Sequence, residues 1–380
     1  MLPGSLGLFS FFLLLLTGLL PWFAEAQHLT GKSFEVYTSP HAEPGGSFAE
    51  FVAETGDVDG DGTTEILVGA SGETVEGRKN AGRAYLLSSD RGEVLREMTA
   101  PTVGRTATSA IQLVELEMPM ATASRTFLVG AAGDTTLAGR AYVFGGATGS
   151  LLHALRSPSA EPRGLFGRFP AGVGDVDGDG LGDLLIGAIG EDRTYLFGGA
   201  DGDLIQVIKS PSPAHDHFGY PAPLGDVDED GTVDIAIGAP TDSLPEKRRA
   251  GRVFIVGGEE GRVLHELRSP NAFSGGSFGH SVAPLPGHSG SNPRMRLLVG
   301  ASGEGKAYLF DLVDGTVVQE LIPGGSAGEE DRFGQAVANA GDVDGDGISD
   351  FLIGAPTRNV DEADDAGKIY LFSGATGETL

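Results

Sequence analysis

From about residue 30 onward, strand-length apolar runs alternate with turns rich in Gly, Pro, Asp and Ser, and no segment sustains a 3.6-residue period. The runs are full of β-branched and aromatic residues, a composition that suits strands. They also recur in a fixed order. A Gly-Ala pair ends one run at Gly69, Gly130, Gly187, Gly238, Gly300 and Gly354, at spacings of 61, 57, 51, 62 and 54 residues. A Phe-Gly pair precedes it at Phe166-Gly167, Phe218-Gly219, Phe278-Gly279 and Phe333-Gly334, with Phe48-Ala49 as a weaker copy. An aromatic run follows: GRAYLL at 82, GRAYVF at 139, RTYLFG at 193, GRVFIV at 251, GKAYLF at 305 and GKIYLF at 367. A last run closes the unit, as in LLHALRSP (151–158), LIQVIKSP (204–211) and VLHELRSP (263–270).

Four strands per repeat with Gly-rich turns predict an all-β protein, a β-propeller of six blades with four antiparallel strands each. A lone blade cannot bury both faces, so the blades must stack around an axis. The repeats fall at about 41–101, 102–158, 159–211, 212–270, 271–323 and 324–380. The segment 30–40, containing SFEVYTSP, matches the closing run of the other repeats. It is expected to complete the last blade, whose sequence stops at GATGETL.

Residues 6–23 form an almost unbroken apolar run followed by Ala24-Glu25-Ala26, which reads as a signal peptide (1–26) cleaved before Gln27, although its start carries no Lys or Arg, with an uncleaved N-terminal anchor as the alternative. Residues 27–380 are then one exported propeller domain, secreted or extracellular (periplasmic or surface-bound in a bacterium), with no membrane insertion of the mature chain. The absence of Cys excludes a disulfide scaffold and a Cys nucleophile. The net charge of −27 makes a nucleic-acid groove a poor fit, because phosphate binding relies on Lys and Arg.

Much of that acidity is concentrated. Four repeats carry D-x-D-x-D-G-x-x-[D/E]: Asp57, Asp59, Asp61 and Glu65; Asp175, Asp177, Asp179 and Asp183; Asp226, Asp228, Asp230 and Asp234; Asp342, Asp344, Asp346 and Asp350. Alternate carboxylates on a tight loop aim several oxygens at one centre, the donor set that calcium takes. Position seven would add a backbone carbonyl, from Thr63, Leu181, Thr232 and Ile348, and the ninth-position acid would close the shell. Position twelve is Val68, Ile186, Ile237 or Ile353 rather than Glu, so these are strand–loop–strand sites and not EF-hands. About four Ca2+ ions are expected. Repeats two and five lack the triplet (Arg294 and Arg296 stand in that region of repeat five) and should fold without calcium.

The Phe-Gly, GDVDGDG, IGAP and GRAYLF series resembles the FG-GAP repeats of integrin alpha-subunit propellers, over about residues 30–380. The resemblance implies calcium loops on the lower face and partners on the upper face. It also implies seven blades where six are counted, so a seven-bladed ring is the alternative. No inserted ligand-binding domain, D-x-S-x-S cation site, leg domain or cytoplasmic tail is visible, and secreted FG-GAP proteins are the nearer comparison. Gly275–Gly279 matches G-x-S-x-G, but here it is a Phe-Gly turn rather than a nucleophile elbow. His215-Asp216-His217 reads as an exposed turn rather than a metal site. Two functions remain: a calcium-stabilised extracellular module binding protein or glycan, and a lyase or hydrolase working at the central channel. A cluster of His, Arg and Tyr at the channel mouth would favour the second.

Overall fold

In the computed structural model, residues 37–89, 91–99, 113–116, 126–133, 137–212, 216–258, 261–285, 295–323, 329–359 and 365–380 are described. They form six antiparallel sheets that follow one another in sequence, the blades of a β-propeller. Blade 1 holds β1 (Phe48–Glu54), β2 (Glu65–Ala70), β3 (Arg83–Ser88) and β4 (Val94–Thr99). Blade 2 holds β5 (Leu113–Leu116), β6 (Thr126–Ala131), β7 (Arg140–Gly145) and β8 (Leu151–Leu155). Blade 3 holds β9 (Phe166–Gly172), β10 (Leu184–Ala188), β11 (Arg193–Phe197) and β12 (Leu204–Lys209). Blade 4 holds β13 (Tyr220–Pro223), β14 (Ile235–Ala239), β15 (Arg252–Val256) and β16 (Val263–Leu267). Blade 5 holds β17 (Phe278–Leu285), β18 (Arg296–Ala301), β19 (Lys306–Asp311) and β20 (Thr316–Leu321). Blade 6 holds β21 (Ala336–Gly341), β22 (Asp350–Ala355) and β23 (Lys368–Phe372). Every pairing is to the next strand in sequence, so each blade is a meander. The first strand of each blade neighbours the first strand of the next, from blade 1 to blade 6, which puts these strands innermost.

The middle strands are buried on both faces, which is why they read as continuous apolar runs rather than alternating ones. Leu184, Leu185, Ile186 and Ala188 of β10 are fully buried, as are Ile235, Ala236, Ile237 and Ala239 of β14. One face of each packs forward and the other back. Between blades 3 and 4, Leu185, Leu196 and Ile208 meet Phe218, Ile237 and Phe254. Between blades 4 and 5, Ala236, Ile255 and Leu267 meet Phe278, Val299 and Tyr308. Burying one such Leu, Ile or Phe contributes about 1.5–3 kcal/mol.

The two sequence markers meet at these interfaces. In blades 3, 4 and 5 the glycine of the Gly-Ala pair lies against the glycine of the next blade's Phe-Gly pair. A Cβ on Gly187 would stand 2.1 Å from the Gly219 carbonyl oxygen, one on Gly238 2.1 Å from that of Gly279, and one on Gly300 1.9 Å from that of Gly334. The residue before each Phe adopts a left-handed backbone: Ser47, Leu165, His217, Ser277 and Arg332 have φ between 50° and 55°. That bend drives the Phe into the interface, where Phe166, Phe218, Phe278 and Phe333 are completely buried.

A second fastening is polar. The Ser of the Ser-Pro pair ending one blade donates to a buried Glu of the next, which also accepts from that blade's Tyr. Ser157 and Tyr195 donate to Glu191 at 2.7 and 2.5 Å, and Ser269 and Tyr308 donate to Glu304 at 2.7 and 2.5 Å. Ser39 and Tyr85 repeat the pattern on Glu73. Ser39 therefore sits on blade 1 as the end of a preceding blade's fourth strand would. Of the closing segment expected at residues 30–40, residues 30–36 lie, like the leader, outside the described residues. Among the described residues, no apolar core joins blade 6 to blade 1. Among these residues a Cβ on Gly354 would meet only Ala336 of its own blade within 4 Å, Ile369 on the outward face of blade 6 is 50% exposed, and Ala49 stands where other blades have the Phe-Gly glycine.

These contacts yield a matched pair of substitutions. Gly238→Ala forces a methyl group into a backbone carbonyl and is expected to lower stability by about 2–3 kcal/mol, whereas Gly354→Ala, with room to spare, changes it by less than about 1 kcal/mol. Urea unfolding of both variants checks this, and equal losses would contradict the interface account.

Candidate functional site

Each acidic loop joins the first strand of its blade to the second, so the four loops share one rim of the propeller. The loop is built by its own carboxylates. The first Asp accepts backbone N–H groups from both ends of the turn: Asp57 from Gly60 at 2.7 Å and Gly62 at 2.9 Å, Asp175 from Gly178 and Gly180, Asp342 from Gly345 and Gly347. In the fourth repeat, where Glu229 takes the place of the first glycine, Asp226 accepts from Asp230 and Gly231. Gly62, Gly180, Gly231 and Gly347 have φ of 87–93°, which only glycine adopts without strain. The second Asp accepts the N–H of the third (Asp59 from Asp61, Asp177 from Asp179, Asp344 from Asp346). The third accepts from position seven: Thr63 to Asp61, Leu181 to Asp179, Thr232 to Asp230 and Ile348 to Asp346, each at 2.8 Å.

The ninth-position acids are completely buried at the base of the loop. Asp183 accepts from Val176 and Gly199, Asp234 from Val227 and Gly258, Asp350 from Val343 and Gly374. They tie the loop to the hairpin between the third and fourth strands, a scaffolding role that spacing alone does not reveal. Burial raises Asp183 and Asp234 above the usual carboxylate range. Burial also raises Glu65, with repulsion from Asp59, Asp61 and Asp57 adding to it.

In this geometry ligand oxygens of Asp57, Asp59, Asp61 and Glu65 lie within 4.8 Å of one another, as do those of Asp175, Asp177 and Asp183, of Asp226, Asp228 and Asp230, and of Asp342, Asp344 and Asp350. Asp179, Asp234 and Asp346 fall outside these groups. All donors are oxygens, and Glu65 Oε1 is buried with no hydrogen-bond partner. Mutually repelling carboxylates on an exposed turn, in blade 1 above a buried acid with an unpaired oxygen, suit a hard divalent cation. The four clusters are compatible with divalent cation binding. The triplet-free regions of repeats two and five, residues 117–125 and 286–294, lie outside the described residues.

The other sequence candidates separate. Ser277 leads directly into β17 and donates to Gly275 O at 3.3 Å, so no strand-to-helix elbow surrounds it. In the His-Asp-His run, His215 lies outside the described residues, His217 is exposed, and Asp216 is fully buried, accepting from Ser210 and from Phe218 N–H. Blade 4 has Phe254 where other blades have the Tyr that donates to the buried Glu, and Ser210 turns to Asp216 instead.

A second locus lies on the innermost strands, at the ends opposite the acidic loops. Phe169 stacks on Tyr220 with ring centroids 4.1 Å apart, Tyr220 lies 5.6 Å from His280, and His280 Nδ1 is 3.2 Å from the Gln335 carbonyl. The Arg168 guanidinium sits 5.6 Å over Phe169. Blades 3 to 6 thus contribute one ladder of planar groups beside the axis. Burial keeps His280 below the usual imidazole range, hence neutral at pH 7. The residues after Phe-Gly differ in every repeat, so no period marks this ladder in the sequence.

Comparison with known proteins agrees with this architecture. The chain carries FG-GAP repeats: that family matches residues 53–87, 218–256 and 333–372, the cores of blades 1, 4 and 6. It is 30% identical to integrin alpha-5 of Xenopus laevis over 176 residues, 42% of this chain and 15% of that protein. It is 30% identical to integrin alpha-4 of Xenopus laevis over 182 residues, 45% of this chain and 16% of that protein. Integrin alpha-2 of Mus musculus matches at 35% over 75 residues, 20% of this chain and 6% of that protein. The chain spans about 15% of the length of the first two. Among the described residues, no helix is long and apolar enough to cross a membrane.

Burial, with the Asp192 carboxylate adjacent, pushes Asp216 up to about 7. An acid held above its free value keeps a proton that the unfolded chain has released. Its stabilising contribution is therefore full below the free value of 3.8 and is lost as pH rises towards 7. Relative to the wild type, Asp216→Asn is expected to gain stability between about pH 4 and pH 7.5. A thermal-melt difference that stays flat over this range would contradict the assignment.

Proposed function

We propose that the protein is a secreted, calcium-stabilised propeller that serves as an extracellular adhesion or binding module for a protein or glycan partner. The observation that carries this reading is the set of four cation-suited loops, in register on one rim of an integrin-alpha-like FG-GAP propeller. Asp57, Asp59, Asp61 and Glu65, and their counterparts in blades 3, 4 and 6, would hold one Ca2+ each, with the carbonyls of Thr63, Leu181, Thr232 and Ile348 completing the shell. The ion neutralises carboxylates that otherwise repel and locks the turn to the buried acid beneath it. The calcium is structural here: an ion enclosed by protein oxygens leaves no open position for chemistry.

The partner surface in this reading is the opposite rim, where Arg168, Phe169, Tyr220 and His280 gather beside the axis. Arg and Tyr are the residues on which protein interfaces most often depend. The same constellation favours a second reading, a lyase or hydrolase at the channel. There Arg168 would neutralise a substrate carboxylate, and the neutral imidazole of His280 would take a proton.

Calcium bound only to the folded state adds RT ln(1+[L]/Kd) at each site, about 2.7 kcal/mol at a hundredfold excess over Kd. Thermal melts in calcium and in EGTA are expected to differ, and an unchanged midpoint would sink the metal reading. Screening residues 27–380 against extracellular proteins and glycans is expected to return a binder whose affinity falls about tenfold in Arg168→Ala with the midpoint unchanged. Turnover of an acidic polysaccharide, lost in His280→Ala, would establish the enzymatic reading instead.

A further inference from the structure

The four acidic loops are not equivalent. In blades 1, 3 and 6, the second and third Asp use one oxygen, Oδ1, to accept a loop N–H, which leaves Oδ2 for other work. Among the described residues, the Oδ2 atoms of Asp177, Asp179, Asp344 and Asp346 in blades 3 and 6 accept no hydrogen bond. In blade 1 both are taken. Arg91, on the hairpin between β3 and β4, donates Nη2 to Asp59 Oδ2 at 2.6 Å and Nη1 to Asp61 Oδ2 at 2.5 Å. This is a fork of two charge-assisted bonds placed on the same oxygens that a cation in this loop would need. In sequence no other repeat has a cation at the position before the corresponding glycine, where blades 3, 4 and 6 carry Asp201, Glu260 and Thr376. In blade 4 the neighbouring Arg262 reaches Asp228 Oδ2 at 3.1 Å, without a matching contact to Asp230 among the described residues. Beneath the Arg91 fork, Glu65 Oε1 is fully buried and unpartnered, so the centre retains a donor that the guanidinium does not satisfy.

We propose that Arg91 is a tethered internal cation that competes with the metal for the blade 1 loop, making this the weakest and most readily emptied of the four calcium sites. The inference rests on the calcium reading given above. When calcium is scarce, the guanidinium neutralises Asp59 and Asp61 and holds the loop together. When calcium is abundant, the ion displaces the fork and Arg91 swings out into solvent, which already reaches 38% of its side chain. Metal occupancy would then free one arginine on this rim at a calcium level that leaves the other three sites full.

Calcium titration of the full chain, followed by calorimetry and by terbium luminescence, tests this. The wild type is expected to show a tight class and one weaker site, and the weaker site should disappear in Asp59→Asn, which assigns it to blade 1. Arg91→Ala should tighten that site about tenfold and leave the others unchanged. Without calcium, the same variant should be less stable than the wild type. Arg91→Gln, which keeps one donor but not the charge, should behave likewise and serves if the alanine variant folds poorly. Calcium uptake that is unchanged or weakened by both substitutions overturns the competition while leaving the metal sites standing. No uptake in the wild type or in any variant overturns the metal reading itself, and the proposal with it.

Discussion

Every blade interface from the third to the sixth depends on one close approach of backbone to backbone. The glycine that ends a blade's second strand must come within reach of the glycine that begins the next blade, at a distance where a single methyl group would overlap a carbonyl oxygen. Once that gap closes, the left-handed residue before each Phe swings the ring into the interface, and the large apolar side chains of both blades interlock around it. The Ser–Glu–Tyr clasps then fix the angle between neighbouring blades with hydrogen bonds shielded from water.

The same packing sets the geometry of the acidic loops. Strands buried on both faces are stiff, so their ends hold the loops in place. The ninth-position acid, buried where the strand begins, anchors the turn from beneath. The repulsive part of the loop is confined to a few exposed carboxylates at the rim, where a cation can reach them. The opposite strand ends carry the aromatic ladder. The two rims thus differ in chemistry as much as in position: one is a row of oxygen donors, the other a row of planar rings capped by a guanidinium.

Much of this was legible in the sequence because it repeats. Phe278-Gly279 and Gly300-Ala301 recur at fixed offsets since each interface imposes the same steric demand, and the Asp triplets recur in register with them. The Ser–Glu–Tyr clasp also repeats, in Ser157, Glu191 and Tyr195 and again in Ser269, Glu304 and Tyr308. Its members are scattered over two blades, however, and adjacent repeats do not share it. What period could not reveal was whatever differs from blade to blade. The ladder uses Arg168, Tyr220 and His280, one kind of residue per repeat. Arg91 lies thirty residues from Asp61 in sequence and reaches it only across a folded hairpin. The weak Phe48-Ala49 copy carried more information than its spacing suggested, since the extra methyl group of Ala49 stands where the other interfaces need a glycine.

Four acidic loops that hold cations, kept in register by the glycine-spaced blades, should be visible directly. The most direct measurement is an anomalous difference map from crystals of the full chain grown with terbium in place of calcium. Peaks at the loops of blades 1, 3, 4 and 6, each within coordination distance of the loop carboxylates, are predicted, with none at blades 2 and 5. A map whose peaks lie elsewhere, or that has none at the four loops, would contradict it.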